Sequence, residues 1–394
     1  MTRRIYMDNS ATSFPKPAAV AEAMARFAVE CGASAGRGAY AEARACGDLL
    51  ATCRERIARL LNAEGPERIV FTLNCSHGLN IIIRGILNTA GAAHAITTAM
   101  DHNSVLRPFN ALAAQTGLVP QFVPCDARTG LVDPDAIRRA IRPETRLVAV
   151  VHASNVTGTV QPVGAIAAIA REAGVPCLID AAQSVGHIPI DVRAWGADFV
   201  AMPGHKGLLG PLGTGVLYIR PGAEALLQTM HEGGTGTISE VPVHPATMPD
   251  RFEVGSHNAI GLAGLAEGVQ YLLERGVQDI HACARANARR FLAACEPIDG
   301  LTVYGPGLHD PAECRTDVFS VRIRGWAPYS LAAALEDRYG ILTRPGVHCA
   351  PLAHQTIGTH PDGTTRLSFG PFTTADDVDA AAAALAAIAA EERP

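Results

Sequence analysis

Through the middle of the chain, short runs of apolar and often β-branched residues alternate with longer stretches whose apolar positions recur at helical spacing. Residues 68–72, 146–151, 175–179 and 199–202 read as buried strands. Residues 78–88, 104–115, 133–141 and 163–173 read as helices between them. The last two carry Pro134 and Pro162 near their first turns, where a missing N–H costs little. This alternation predicts a mostly parallel α/β sheet covered on both faces, with ligands beyond the carboxyl ends of its strands. From about Gly261 the pattern changes to long helices through Cys295, then a strand over 317–324 and a helix over 329–339. A strand over 365–369 and an Ala-rich helix from Asp376 complete it. Strands and helices without the βαβ rhythm predict a second, smaller α+β domain.

The 394 residues are enough for two domains, and 48% hydrophobic against 18% charged residues supply a sizeable core. Lys and Arg total 33 against 38 Asp and Glu, a net charge of −5, which argues against a nucleic-acid partner. The aliphatic run 380–390 is shorter than the ~20 residues a bilayer requires, so no membrane association is expected. The first residues lack the apolar segment of a signal peptide. Ten cysteines are scattered without a CxxC pair, so neither a disulfide framework nor a metal site is expected. A cytoplasmic enzyme is the expectation.

Candidate chemistry lies just after the apolar runs. Asp180 ends one predicted strand; from position alone it reads equally as a cap for the following turn. The next strand runs into Pro203-Gly204-His205-Lys206-Gly207. A lone lysine in a glycine-rich loop is ordinarily solvated. A sheltered one can lose its proton and bond covalently to a carbonyl compound. An Asp nearby is the partner a pyridinium nitrogen requires if that compound is pyridoxal phosphate.

Together, Asp180-Ala181-Ala182-Gln183 and Gly204-His205-Lys206 resemble the class V aminotransferase family of pyridoxal phosphate enzymes, in particular its cysteine desulfurases. The resemblance runs along essentially the whole chain. In the family's order stand 6–12 (Tyr-Met-Asp-Asn-Ser-Ala-Thr), Gly36-Arg37-Gly38, 154–158 (Ser-Asn-Val-Thr-Gly), the Asp and Lys motifs, 252–256 (Phe-Glu-Val-Gly-Ser) and 344–349 (Arg-Pro-Gly-Val-His-Cys). It implies the fold type I architecture of pyridoxal phosphate transferases: a large domain, 15–274, around a mostly parallel seven-stranded sheet, and a small domain of 1–14 and 275–394.

Carried over by position, the resemblance implies that Lys206 binds the cofactor covalently and Asp180 pairs with the pyridine nitrogen. His102 would stack on the ring, Gln183 contact its phenolic oxygen, and Asn155 neighbour cofactor and substrate. By spacing alone, His102 reads as a helix-opening surface residue, and Gln183 and Asn155 as turn formers. For the phosphate, the segment after the first strand opens a helix, where free N–H groups favour an anion. The expected ligands are Ser76, the Cys75 and Ser76 amides, His205, and Ser256 from the neighbouring subunit of a homodimer. Ser76 also reads as a helix cap. Pro203 departs from the Ser or Thr that relatives commonly carry, removing a phosphate hydroxyl, and His77 stands where an acidic residue is frequent.

Cys349 separates the functions. One cysteine among ten reads first as a small buried hydrophobe; between Pro345, Gly346 and Pro351 it reads as a loop residue. In cysteine desulfurases a loop cysteine here attacks the substrate sulfur and becomes a persulfide. The resemblance further implies that Arg366 grips the substrate carboxylate, joined by Asn155, Arg37 and Arg344. Arg366 follows Cys349 by only 17 positions, which resembles the short-loop group II, the branch that includes selenocysteine lyase-like enzymes. The implied activity is L-cysteine desulfuration to L-alanine and a Cys349 persulfide, passed to a sulfur-acceptor protein. Alternatives are selenocysteine cleavage, C–S β-elimination, or a non-catalytic sulfur carrier or partner-binding protein on the same fold.

Overall fold

Each apolar run in the middle of the sequence forms a strand, and these strands share one seven-stranded sheet. The computed structural model describes residues 4–36, 38–88, 93–238 and 240–391. Its elements begin with β1 (Ile5–Tyr6), α1 (Ala18–Arg26), α2 (Ala41–Leu61), β2 (Ile69–Thr72), α3 (Cys75–Leu87), β3 (His94–Thr98), α4 (Asn103–Thr116) and β4 (Val119–Val123). Then come α5 (Pro134–Ala140), β5 (Thr145–Val151), α6 (Val163–Glu172), β6 (Cys177–Asp180), α7 (Val192–Trp195), β7 (Phe199–Pro203) and β8 (Gly215–Ile219). The remainder is α8 (Ala259–Arg275), α9 (Val277–Cys295), β9 (Leu301–Tyr304), β10 (Val318–Ile323), α10 (Pro328–Tyr339), β11 (Ile341–Leu342), β12 (Arg344–Gly346), α11 (Pro351–Thr356), β13 (Thr364–Ser368) and α12 (Ala375–Ala389).

The large sheet has the order β2-β8-β7-β6-β5-β3-β4. Only β8 runs against the other six, so the α/β expectation of a mostly parallel sheet holds. Successive residues feed opposite faces, as the period of two requires. Ile179 and Val200 join one core with α2, α6 and α8, whereas Leu178 and Phe199 join the other with α3 and α4. Burial on both faces explains why these strands read as continuous apolar runs. The pattern did not reveal three members of the sheet. β4 carries Pro120 and exposes Val119 at the sheet edge, β3 begins with His94 and ends on Thr97 and Thr98, and β8 follows a glycine-rich stretch.

A second sheet, β12-β13-β10-β9, is antiparallel throughout. β1 pairs with β11, bringing Ile5 and Met7 into a third core with Phe291, Phe319 and Phe369. α9 begins in the first core at Val277 and ends in the third at Phe291 and Cys295. On these cores we propose the division into 15–274 and 1–14 with 275–394. α12 opens with a capping box in which Thr374 and Asp377 satisfy each other's backbone N–H groups. Among the described residues no helix is long and apolar enough to cross a membrane. All ten cysteines are free.

Candidate active site

The carboxyl ends of β5, β6 and β7 and the first turns of α3 and α4 converge on a cleft. Cys75, Ser76, His102, Asn155, Asp180, Gln183, His205 and Lys206 all line it. Sequence reasoning named all eight. Lys206 sits in the loop after β7, and Gly207 beside it packs backbone to backbone against Gly186. A Cβ on Gly186 would lie 2.1 Å from the Gly207 carbonyl oxygen, so glycine is required there. The His205 carbonyl accepts from Thr12 Oγ1 at 3.0 Å and from Ser13 N and Lys16 Nζ at 3.1 Å, which fixes the loop from its outer side.

Asp180 is 3% exposed and does both things its position allowed. Oδ1 accepts from Ala182 N at 2.9 Å, capping the turn, and from Cys75 Sγ at 3.5 Å. Oδ2 has no donor among the described residues. Burial raises the Asp180 pKa above the usual carboxylate range, opposed by the Ala182 N–H and the Lys206 charge. Burial likewise lowers the Lys206 pKa, with Arg366 and Arg344 adding repulsion and Cys75 and Asp180 opposing it. The environment thus favours a neutral amine beside a carboxylate short of a cationic partner.

His102 is the N-cap of α4: Nδ1 accepts from Ser104 N at 3.1 Å. Helix opening and site lining are therefore compatible. Burial, then repulsion by Lys206, lowers the His102 pKa to about 4, so the ring is neutral near pH 7. With Nδ1 accepting, its single proton is on Nε2. Ser104 was not singled out in the sequence, yet it lines the cleft and joins His102 to Ser76, whose Oγ is 2.7 Å from Ser104 Oγ. A serine two places into a helix opened by histidine was the available signal.

One expectation is corrected at the phosphate turn. α3 starts at Cys75, three residues earlier than the pattern from Gly78 indicated, because Asn74 is the cap and accepts from His77 N at 2.9 Å. Ser76 is in the first turn, not at the cap. The Cys75 and Ser76 N–H groups remain free of partners among the described residues, as the first N–H groups of a helix are. His205 Nδ1 is buried without a partner, and its pKa is lowered to about 4 by burial.

The loop around Cys349 is shorter than its prolines and glycine indicated. Arg344–Gly346 is strand β12 and Pro351 opens α11, leaving 347–350 as the turn. His348 and Cys349 both adopt left-handed backbone, at φ 50° and 58°. This conformation is uncommon for non-glycine residues and concentrates at functional sites. The turn is tied to the cleft: Asn155 Nδ2 donates to the His348 carbonyl at 2.6 Å and Asn103 N to the Cys349 carbonyl at 2.8 Å. Arg344 Nη2 approaches Cys349 Sγ at 3.8 Å.

Cys349, Arg344, Arg366 and Ser256 do not line the Lys206 cleft itself. Arg366 is fully buried behind it, with Nη2 paired to Asp8 at 2.6 Å and Nη1 donating to the Asn155 carbonyl at 3.2 Å. Asp8 was part of a quoted motif but carried no expected role. Ser256 lines a separate pocket with Leu73, Gly213 and Val254. Arg37 lies outside the described residues. Among the described residues no cluster of three metal-ligating side chains occurs.

The model of the aminotransferase class-V family matches residues 5–381. The chain belongs to the class-V aminotransferase family. A protein of Methanothermobacter thermautotrophicus named "probable cysteine desulfurase" is 36% identical, covering 95% of this chain and 92% of the relative. A cysteine desulfurase of Cronobacter sakazakii is 34% identical over 96% of this chain and 92% of its own. The apo structure of a cysteine desulfurase from Thermococcus onnurineus superposes with a TM-score of 0.91 at 32% identity, covering 98% of this chain and 94% of that one.

Class-V aminotransferases are pyridoxal phosphate enzymes, and the cleft suits that cofactor. A carboxylate oxygen without a donor answers a protonated ring nitrogen, and a buried lysine with a lowered pKa answers the aldehyde. Free N–H groups at the start of a 13-residue helix answer the phosphate, beside the unpartnered His205 nitrogen.

Proposed function

We propose that the chain is a pyridoxal phosphate-dependent L-cysteine desulfurase that carries the sulfur as a persulfide on Cys349. The observation that carries this reading is the coupling of the Cys349 turn to the Lys206–Asp180 cleft through Asn155 and Asn103. Relatives named cysteine desulfurases over nearly the full chain support it.

Lys206 would hold the cofactor, with Asp180 at its ring nitrogen, Gln183 and Asn155 beside it, and Cys75, Ser76 and His205 at the phosphate. Bound there, the cofactor supplies an electron sink for charge developing at the substrate α-carbon. Lys206, whose pKa burial lowers, moves the α-proton. His102 presents Nε2–H and keeps its orientation through Ser104. Arg344, part-exposed beside Cys349, and Arg366, held by Asp8, are the proposed guanidinium partners of the substrate carboxylate, with Arg37 and Asn155 as further contacts. The Cys349 thiolate then bonds to the substrate sulfur while the Cβ–S bond breaks and Cβ gains a proton. The net change is cysteine plus thiol to alanine plus persulfide: the β-carbon is reduced and the paired sulfurs are oxidised.

Incubating the purified protein and pyridoxal phosphate with cysteine, and separately with selenocysteine, tests the reaction class. Alanine with protein-bound persulfide is expected; pyruvate with ammonia would move the assignment to β-elimination. Selenide release without cysteine turnover would make it a selenocysteine lyase. The persulfide implies a sulfur-acceptor protein as partner. Ten free cysteines fit a reducing compartment, and we propose the cytoplasm.

We further propose a homodimer in which Ser256 reaches the partner's phosphate. Its pocket adjoins the β2–α3 turn, and exposed Leu73 and Val254 line it, an apolar surface of the kind buried by association. Sedimentation should show a dimer at micromolar concentration. A monomer with full cofactor content and full activity would overturn the shared site.

A further inference from the structure

Beneath Cys349 lies a line of side chains that the reaction does not use directly. His348 Nε2 is 2.8 Å from the Arg344 carbonyl, His348 Nδ1 is 3.3 Å from His354 Nε2, and His354 Nδ1 is 2.7 Å from Thr359 Oγ1. His348 is 3% exposed, and His354 and Thr359 are fully buried. With both rings neutral, the partners set the direction of each proton in this line. The single Thr359 hydroxyl proton goes to His354 Nδ1 at 2.7 Å rather than to the His354 carbonyl at 3.4 Å. The Arg344 carbonyl can only accept, so His348 Nε2 donates and Nδ1 is left as an acceptor. His354 Nε2 must then donate to it, and His354 Nδ1 accepts from the Thr359 hydroxyl. Thr359 is itself fixed: its N–H donates to the His354 carbonyl at 2.8 Å, and its carbonyl accepts from Arg322 Nη2 at 2.9 Å.

We infer that His348, His354 and Thr359 form a one-way hydrogen-bond chain that positions Cys349 for attack on the substrate sulfur; this rests on the reading of Cys349 as the sulfur acceptor. The chain ties the His348 side chain of the turn to the Arg344 carbonyl of β12, while Asn155 and Asn103 hold the turn's own carbonyls. Between these anchors stand the two left-handed residues, His348 and Cys349, in a conformation that an unrestrained chain would leave. The polarity requires both rings to be neutral. Burial favours that: it lowers the His354 pKa to about 4 and the His348 pKa well below the ordinary range, with Arg322 and His360 facing the first and Arg366, Arg344 and His354 itself the second. His348 and His354 are positioning residues, since neither lines the cleft.

The test uses the cofactor-loaded chain and compares His354→Leu with His354→Gln, whose amide can restore a donor toward His348. Amide exchange of a peptide spanning 344–350 should accelerate at least about tenfold in His354→Leu as the turn opens locally. Its kcat for alanine release should fall by about 10- to 100-fold, the scale of a displaced reacting group, with KM for cysteine within about twofold and cofactor absorbance unchanged. His354→Gln should recover both readouts to within about threefold of wild type. Wild-type exchange and kcat in His354→Leu, or a His354→Gln variant as impaired as His354→Leu, would overturn the proposal. Should His354→Leu lose its fold as a whole, Thr359→Val decides, because it removes only the hydroxyl that orients His354; wild-type exchange and kcat there would equally overturn it. Cys349→Ser assayed in parallel separates the two layers. Wild-type turnover in it defeats the acceptor reading itself, whereas an inactive Cys349→Ser beside a fully active His354→Leu defeats the chain alone.

Discussion

Lys206→Ala should abolish cysteine turnover, lowering kcat by at least about 10³-fold, within the range associated with loss of a positioned acid–base group. It should also leave a cofactor that borohydride no longer fixes to the chain. The wild-type protein should be yellow, and reduction followed by digestion should place the cofactor on the peptide containing Lys206. The amine is set for this role by its surroundings. Burial is the largest influence lowering its pKa, and Arg366 and Arg344 act in the same direction. A lowered lysine pKa extends the neutral, nucleophilic form to lower pH than an exposed lysine allows, so cofactor attachment should persist below the pH at which ordinary lysines are protonated. The substitution should not unfold the chain, because the loop's backbone is held by Thr12, Ser13 and Lys16 through the His205 carbonyl. A colourless wild type that gains no absorbance with added pyridoxal phosphate would refute the cofactor assignment. So would an Ala variant with wild-type turnover.

The parts of this architecture that could be read from the chain are those in which one local rule acts alone. β5, β6 and β7 are buried on both faces, so their apolar runs stand out within one or two residues of their observed limits. β4 obeys a different rule: at the edge it exposes alternate residues and tolerates Pro120, and its pattern is correspondingly weak. The start of α3 was misplaced because Asn74, Ser76 and Gly78 are all plausible near a helix start. Only the contact from His77 N to Asn74 decides among them. Asp180 and Lys206 were legible as residues at or just beyond the ends of neighbouring parallel strands, where ligands gather. His102, Gln183 and Asn155 were placed by the family resemblance, because their spacing alone reads as a surface residue and turn formers. Asp8, Ser104 and His354 were not legible, for a shared reason. Each acts through a partner distant in sequence or across a helix end: Arg366, Ser76 and His348 respectively. No periodicity marks such pairs.

Cys349→Ser should separate sulfur transfer from every earlier event at the site. The substitution keeps nearly the same side-chain volume and leaves in place the backbone contacts that hold the turn, from Asn103 to the Cys349 carbonyl and from Asn155 to the His348 carbonyl. Serine adopts the observed left-handed backbone no worse than cysteine, so stability should change by no more than about 0.5 kcal/mol. Lys206, Asp180 and His102 line a cleft that does not include Cys349. Cofactor content and the spectral change on adding cysteine should therefore match wild type. A neutral hydroxyl is a poor nucleophile toward sulfur and cannot carry it as a persulfide. Alanine release should fall at least about 10²-fold, and mass spectrometry of the intact chain should show no added sulfur. Arg344→Ala makes a useful contrast. It removes the guanidinium beside Cys349 Sγ and a proposed carboxylate partner, so KM for cysteine should rise as kcat/KM falls. If Cys349 were only a packed turn residue, Cys349→Ser would turn over cysteine at the wild-type rate, and the sulfur would have to leave by elimination.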